Sequence, residues 1–288
     1  VKYFDRFIAN FNLMRGIRLL KRASNSNVQK AALFREAAYR RFEIAIKSNP
    51  ELAEVHVNWG HGLYNAARKL SGKDRQRGFR NACEQYQNAY DINPNDTDTL
   101  KHWGLALREL AQSKREKKTD TLFAEAYEKF SMAITINSGD HDVFYHWGTT
   151  LYQQAQKKNT SEALALYKAA IEKFRLDSEI NSKRPHTYND WGASLMAIAK
   201  IDGAEKSQEL LADALDKFQR AEMLKAGLAS YNLACISSLM GNFDACHKHL
   251  EVAKEHGKLP IVGHLQRDDD LSAARKIDWF KDFIADLD

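Results

Sequence analysis

Four of the five Trp in this 288-residue chain stand directly before a Gly, at Trp59-Gly60, Trp103-Gly104, Trp147-Gly148 and Trp191-Gly192, each pair 44 residues from the next. Chance does not set such a register. A fixed period of 20–50 residues is the mark of a stacked array, in which each unit touches only its neighbours. The length alone would allow two domains, but an array removes that need because it grows by adding units.

The Gly serves as a ruler. The residues 22 beyond it are Ala82, Ala126, Ala170 and Ala214; those 26 beyond are Tyr86, Phe130, Phe174 and Phe218. At 29 stand Ala89, Ala133, Asp177 and Ala221, and at 34 Pro94, Ser138, Ser182 and Ala226. Gaps of four and three place the first three columns on one helical face, and the last column breaks the helix. Running backwards, Gly16, Ala38, Phe42, Ala45 and Pro50 form a first unit with Arg15 in place of Trp; forwards, Leu233-Ala234, Gly241, Cys246, Leu250 and Ala253 form a shorter last one. Small residues let helices approach closely, and Trp with Phe/Tyr fills the space between units.

The pattern resembles the tetratricopeptide repeat family, W-x2-L-G-x2-Y…A-x3-F…P: His56, Trp59, Gly60, Leu63, Ala82, Tyr86, Ala89 and Pro94 take the matching places. The resemblance covers about residues 8–257 and implies an all-α right-handed superhelix of about six helical hairpins. The boundaries fall at about 7–50, 51–94, 95–138, 139–182, 183–226 and 227–258. Residues 259–288, with Trp279, Phe280, Phe283 and Ile284, leave the pattern and read as a C-terminal helical cap. Each unit but the last has ten residues more than the family spacing between its Gly and the next small residue. Breakers at Ser24-Asn25-Ser26-Asn27, Ser71-Gly72-Lys73-Asp74, Lys117-Lys118-Thr119-Asp120, Lys158-Asn159-Thr160-Ser161 and Asp202-Gly203 lie mid-insertion, the last opening a capping box with Glu205. The expectation is that both helices of a hairpin lengthen equally, to roughly 20 residues or about 30 Å.

Composition sets the class. Hydrophobic residues make up 44% and charged ones 28%, as in a globular chain, and 4 Pro with 14 Gly favour long helices. No apolar run reaches the ~18 residues that span a bilayer. Cys83, Cys235 and Cys246 are too few and too scattered for a disulfide framework, so the expected setting is intracellular and cytoplasmic. The chain opens on Val1 rather than Met, which reads as a start inside a longer protein or after processing.

In the tetratricopeptide family the first helix of each hairpin lines a concave groove where ligands dock. The resemblance carries that role onto Asn58, His61, Tyr64, Lys101, His102, Arg108, Tyr145, His146, Tyr152, Asn189 and Asp190. This polar and aromatic mixture suits an extended peptide or a helix of a partner protein. The Lys and Asn set by which some members clamp a terminal carboxylate is missing, since Lys101 is followed by Leu105 and His61 is preceded by Val57. A second candidate surface is a basic rim at the hairpin tips, formed by Lys114, Arg115, Lys117, Lys118, Lys157 and Lys158. It would attract RNA or an acidic membrane, although aromatic residues that stack on bases are nearly absent there.

Ten His raise the question of metal. His247 and His249 beside Cys246 point to different helix faces, while His102 and His146 hold equivalent places in adjacent units. Neither set brings an identifiable second shell, and no phosphate loop, G-x-S-x-G or H-E-x-x-H occurs. The expected function is therefore a non-catalytic scaffold or adaptor, with no metal and no cofactor. Its partner is another protein; the alternatives are an anion-binding module, the regulatory part of a larger protein, or self-association.

Overall fold

The structure, a computed structural model, describes residues 2–113, 119–201 and 204–287. Among these residues the chain is built from fourteen α-helices and two 3-10 turns, without a strand. The architecture is the all-α tetratricopeptide type, with successive helices paired as antiparallel hairpins. Two compact units divide the chain, Val1–Val143 and Phe144–Asp288.

The first unit holds α1 (Lys2–Ser24), α2 (Val28–Ser48), α3 (Ala53–Ala67), α4 (Gly72–Ile92), α5 (Thr97–Ser113) and α6 (Thr119–Ile136). The pairs α1/α2, α3/α4 and α5/α6 pack as hairpins, and α4 packs on α5. A second unit begins within α7 (His141–Ala155). It continues through α8 (Thr160–Ile180), α9 (Pro185–Ile201), α10 (Ala204–Leu224), α11 (Ser230–Leu239) and α12 (Phe243–Glu255). It ends in α13 (Val262–Leu265), the 3-10 turns Asp269–Leu271 and Ala274–Lys276, and α14 (Asp278–Ala285).

One contact recurs in every full hairpin. A Cβ placed on Gly60 would meet the Tyr86 ring at 2.7 Å; on Gly104, Phe130 at 2.6 Å; on Gly148, Phe174 at 2.6 Å; and on Gly192, Phe218 at 2.8 Å. Gly16 meets Phe42 in the same way. Any side chain there would overpack the hairpin, which explains the residue type without appeal to backbone freedom. The Phe/Tyr column thus packs inside its own hairpin, and Phe42 and Tyr86 also reach a ring of the next one, Trp59 and His102. The Trp column faces backwards instead: Trp59 stacks on Tyr39 and Phe42 of α2, and Trp103 lies against Tyr90 of α4. Above the rings sits a cation, with Lys129 Nζ 4.4 Å from the centre of Trp103, Lys173 Nζ 3.9 Å from Trp147 and Lys217 Nζ 4.9 Å from Trp191.

The expected equal lengthening holds in some hairpins and not in others. Helices α1 and α2 run 23 and 21 residues and α5 and α6 run 17 and 18, but α3 and α7 run 15 against 21 in α4 and α8. The reason is local. After Ala67 the backbone switches to i→i−3 bonds, Lys69 N–H to Ala66 O and Leu70 N–H to Ala67 O. There Ala67 is so close to α4 that a Cβ on Gly78 would lie 2.7 Å from its own. Helix α3 stops early, and α4 takes up the insertion. Asn27 accepts from Lys30 N–H and Asn159 from Glu162 N–H, each from the breaker runs read in the sequence. The capping box at Asp202-Gly203 lies outside the described residues.

Between hairpins the helix ends are capped by Asn49, Asn93 and Asn181, whose N–H groups close on Ala45, Ala89 and Asp177. Asp177, the polar exception in the small-residue column, is fully buried, accepts a hydrogen bond from Thr187 Oγ1 and lies 3.9 Å from Arg184 Nε. The C-terminal segment packs Leu265, Leu271, Ala274, Phe280 and Phe283 on Ala234, Cys235, Cys246 and Leu250 of α11 and α12.

Candidate functional site

The first helices carry the residues singled out above, and the two units treat them differently. In the first unit, α3 presents Asn58, His61 and Tyr64, and α5 presents Lys101, His102 and Arg108. The structure draws His61, Lys101 and His102 together around Asp98, one turn before His102 on α5. Lys101 Nζ lies 3.0 Å from Asp98 Oδ1, while Oδ2 is 3.8 Å from His61 Nε2 and 3.4 Å from His102 Nδ1. His102 Nδ1–H donates to the Asp98 carbonyl at 2.9 Å. The two imidazole centres are 4.2 Å apart, and the Tyr86 ring lies 5.7 Å from His61 and 6.3 Å from His102. His102 therefore has His61 for its ring neighbour.

These positions shift the protonation equilibria. Burial, followed by the neighbouring His102, pulls His61 down to about 4, so the ring is neutral at pH 7. The His102 hydrogen bond holds the Asp98 carboxyl far below the usual range, against its own burial and with help from Lys101. Burial raises the Tyr86 phenol well above its ordinary value. Neither His61 Nε2 nor Tyr86 Oη, both shut off from solvent, has a hydrogen-bond partner on the protein. Tyr64 is buried on Phe79, while Arg108 bonds Glu109, which also receives Arg75 Nη2 at 2.8 Å. Those last two residues serve the joint between hairpins. Asn58 closes on its own helix through Glu54 O.

Beside His61 opens a cavity of about 710 Å³ between α1, α2 and α3. Ile17, Leu20 and Ala23 give it apolar walls, and Lys21, Arg35, Arg68 and Lys69 ring it with cations. Among the described residues no carboxylate lines it. It lies in the most basic part of the chain, where residues 1–48 hold eleven Lys/Arg against three Asp/Glu.

In the second unit the candidates bond to one another. Tyr145 Oη donates to Asp190 Oδ2 at 3.1 Å, Asn189 Nδ2 donates to Asp190 Oδ1 at 3.1 Å, and Asn232 Nδ2 of α11 donates to Asn189 Oδ1 at 2.8 Å. Arg184 lies 4.8 Å over the Tyr145 ring. Burial pushes the Asp190 carboxyl up, opposed by its Asn189 and Tyr145 donors. His146 rests on Tyr145, and Tyr152 on Tyr167.

Of the basic rim, Lys114, Arg115, Lys117 and Lys118 lie outside the described residues. Lys157 and Lys158 follow α7, and Lys158 Nζ is 3.4 Å from Glu162. His247 stacks on Trp279 at 4.3 Å and meets the edge of Phe283, so it serves the C-terminal packing. Sequence reasoning missed Asp98 and Tyr86 as site residues. The signal for Asp98 was its four-residue spacing to His102, which shares a helix face.

None of the curated proteins matches the chain in sequence. The family model for the plant specific mitochondrial import receptor subunit TOM20 matches residues 73–188, less than half of the chain. Among solved structures, PilF of Pseudomonas aeruginosa is similar at TM-score 0.59 and 13% identity, covering 88% of this chain and 95% of PilF. YrrB, described as a TPR protein with an unusual peptide-binding site, is similar at TM-score 0.51 and 18% identity over 82% of this chain and 98% of its own. MamA follows at 0.52 and 14%, over 78% and 96%. Paired helices, the Gly-on-ring contact and these neighbours together make this chain a protein of the tetratricopeptide-repeat fold.

Proposed function

We propose that the chain is a non-catalytic interaction scaffold that binds a segment of another protein on the first-helix face of its N-terminal unit. The observation that carries this reading is the cavity beside His61. An apolar floor ringed by Lys21, Arg35, Arg68 and Lys69, with no carboxylate among the described residues of its lining, suits an amphipathic segment whose polar face is acidic. The peptide-binding site of YrrB and the receptor role of the partly matching TOM20 family support it by analogy. The direct test is fluorescence anisotropy with labelled amphipathic helices of acidic and basic character. The acidic helix should bind, and Lys21→Glu with Arg68→Glu should weaken it by at least about tenfold, or ~1.4 kcal/mol. Equal binding of both helices would sink the reading.

A second reading has its own observation. On the same basic hairpin, hollows lined by Arg15, Arg18, Arg22, Lys30 and Arg41 offer an anion-binding surface for RNA or an acidic membrane. Binding to polyanions that falls steeply with salt would favour it. Among the described residues no helix is long and apolar enough to cross a membrane. We place the chain inside the cell, where its three free thiols are at home. The TOM20 match makes mitochondria the first compartment to test, by fractionation of cells expressing the tagged chain.

A further inference from the structure

The cluster on α3 and α5 has a chemistry that peptide binding leaves unused. His61 Nε2 is buried without a hydrogen-bond partner on the protein. His102 donates through Nδ1, which fixes the tautomer and leaves the Nε2 lone pair for another ligand. Asp98 gives Oδ1 to Lys101 and turns Oδ2 towards both imidazoles. Ligand atoms of the three side chains lie within 4.8 Å of one another. Four-coordinate zinc with ligands at about 2.0–2.1 Å holds its donors roughly 3.4 Å apart, so binding would draw the three side chains inward from this spacing.

The arrangement has the form of a metal half-site and its complement. Asp98 and His102 are four apart on one helix and share a face, and His61 reaches them from the preceding hairpin. The bond from His102 Nδ1–H to a backbone carbonyl is the outer-shell contact that orients metal-bound imidazoles. We propose that His61, Asp98 and His102 bind a divalent cation of the zinc class, which joins α3 to α5 and keeps one coordination position open. Two imidazoles and one carboxylate suit zinc, cobalt or nickel better than calcium or magnesium, which prefer oxygen. Lys101 limits the carboxylate to a single ligand oxygen. The site shares His61 with the cavity lining above, but metal binding does not depend on what occupies that cavity.

The test uses the full chain, stripped with a chelator and titrated with Co²⁺ by visible absorption and with Zn²⁺ in competition with a chromogenic chelator. One equivalent should bind, giving cobalt bands of tetrahedral intensity. His61→Ala and His102→Ala should each weaken zinc by at least about 100-fold, while His247→Gln should leave it unchanged. Asp98→Asn keeps the side-chain shape and removes the anionic ligand, so its affinity decides the matter if a His variant fails to fold. Absence of a one-equivalent site, or equal affinity in folded Asp98→Asn and wild type, would overturn the proposal, leaving the cluster a hydrogen-bonded His–Asp–His contact.

Discussion

The two units settle the buried polar atoms around their first helices differently. In the first, His61 Nε2 on α3 and Tyr86 Oη on α4 are buried without a hydrogen-bond partner, and His61 also lines a basic cavity. In the second, Tyr145, Asp190, Asn189 and Asn232 form a chain of hydrogen bonds across α7, α9 and α11. A repeat fixes which positions face inward but leaves their chemistry open. The second unit spends much of it on holding its own helices, though Ser238 Oγ on α11 is buried without a partner there too. Buried polar groups that are not satisfied cost stability.

The largest effects should come where the units agree. Gly60→Val in the first unit and Gly148→Val in the second each drive a branched side chain into a ring, Tyr86 or Phe174. Each should lose about 1–3 kcal/mol in denaturant unfolding, or fail to fold. A tolerated Gly60→Val beside a disruptive Gly148→Val would show that the hairpins do not share a frame.

The next prediction tests the contrast itself. Asp190→Ala strands the Tyr145 hydroxyl and the Asn189 amide, and should cost about 1–3 kcal/mol. Asp98→Ala breaks a half-exposed pair with Lys101 and should cost no more than about 1 kcal/mol. Denaturant midpoints of the two variants should therefore separate clearly. Equal losses would mean that the first cluster is as structural as the second.

How much of this was legible beforehand follows from what repeats. Gly60, Tyr86 and Ala82 recur because packing demands them in every hairpin, so the array could be read from spacing and its fold from the tetratricopeptide resemblance that the spacing carries. The unequal helices could not, because the stop after Ala67 depends on how near Gly78 lets α4 approach. Nor could the site. Asp98 belongs to no column, and His61 and His102 sit at different places on the ruler, one after its Gly and one two before. Only the stagger of adjacent first helices brings them together. The carboxylate at Asp177 departs from the small-residue column, and Thr187 and Arg184 accommodate it in ways the sequence does not display.

Acid should distinguish the units more gently. His61 has a folded pKa of about 4, below its ordinary value. Between roughly pH 6.5 and 4 the unfolded chain binds the extra proton, so stability falls as pH drops through that window. With solvent screening at this partly exposed ring, the loss attributable to His61 is about 1 kcal/mol. In chelator-treated protein, His61→Gln should flatten the stability profile over this range. An unchanged slope would show that the neutral ring at His61 is not a source of the acid sensitivity.

The smallest effects test whether the cation over each Trp belongs to the frame or to a face. Lys129 sits over Trp103 in the first unit and Lys173 over Trp147 in the second, at 4.4 and 3.9 Å. Methionine keeps the aliphatic stem that packs on the indole and removes only the charge. If the pairs are part of the shared frame, Lys129→Met and Lys173→Met should each cost about 0.5–1 kcal/mol and leave ligand binding alone. Trp59 is a natural control, since Gln85 stands where the Lys would be and bonds His56 at 2.9 Å instead. A Lys129→Met variant that keeps its stability but loses affinity for the acidic helix would move that Lys from the frame to the binding surface. The interaction face of the first unit would then extend beyond the cavity at His61.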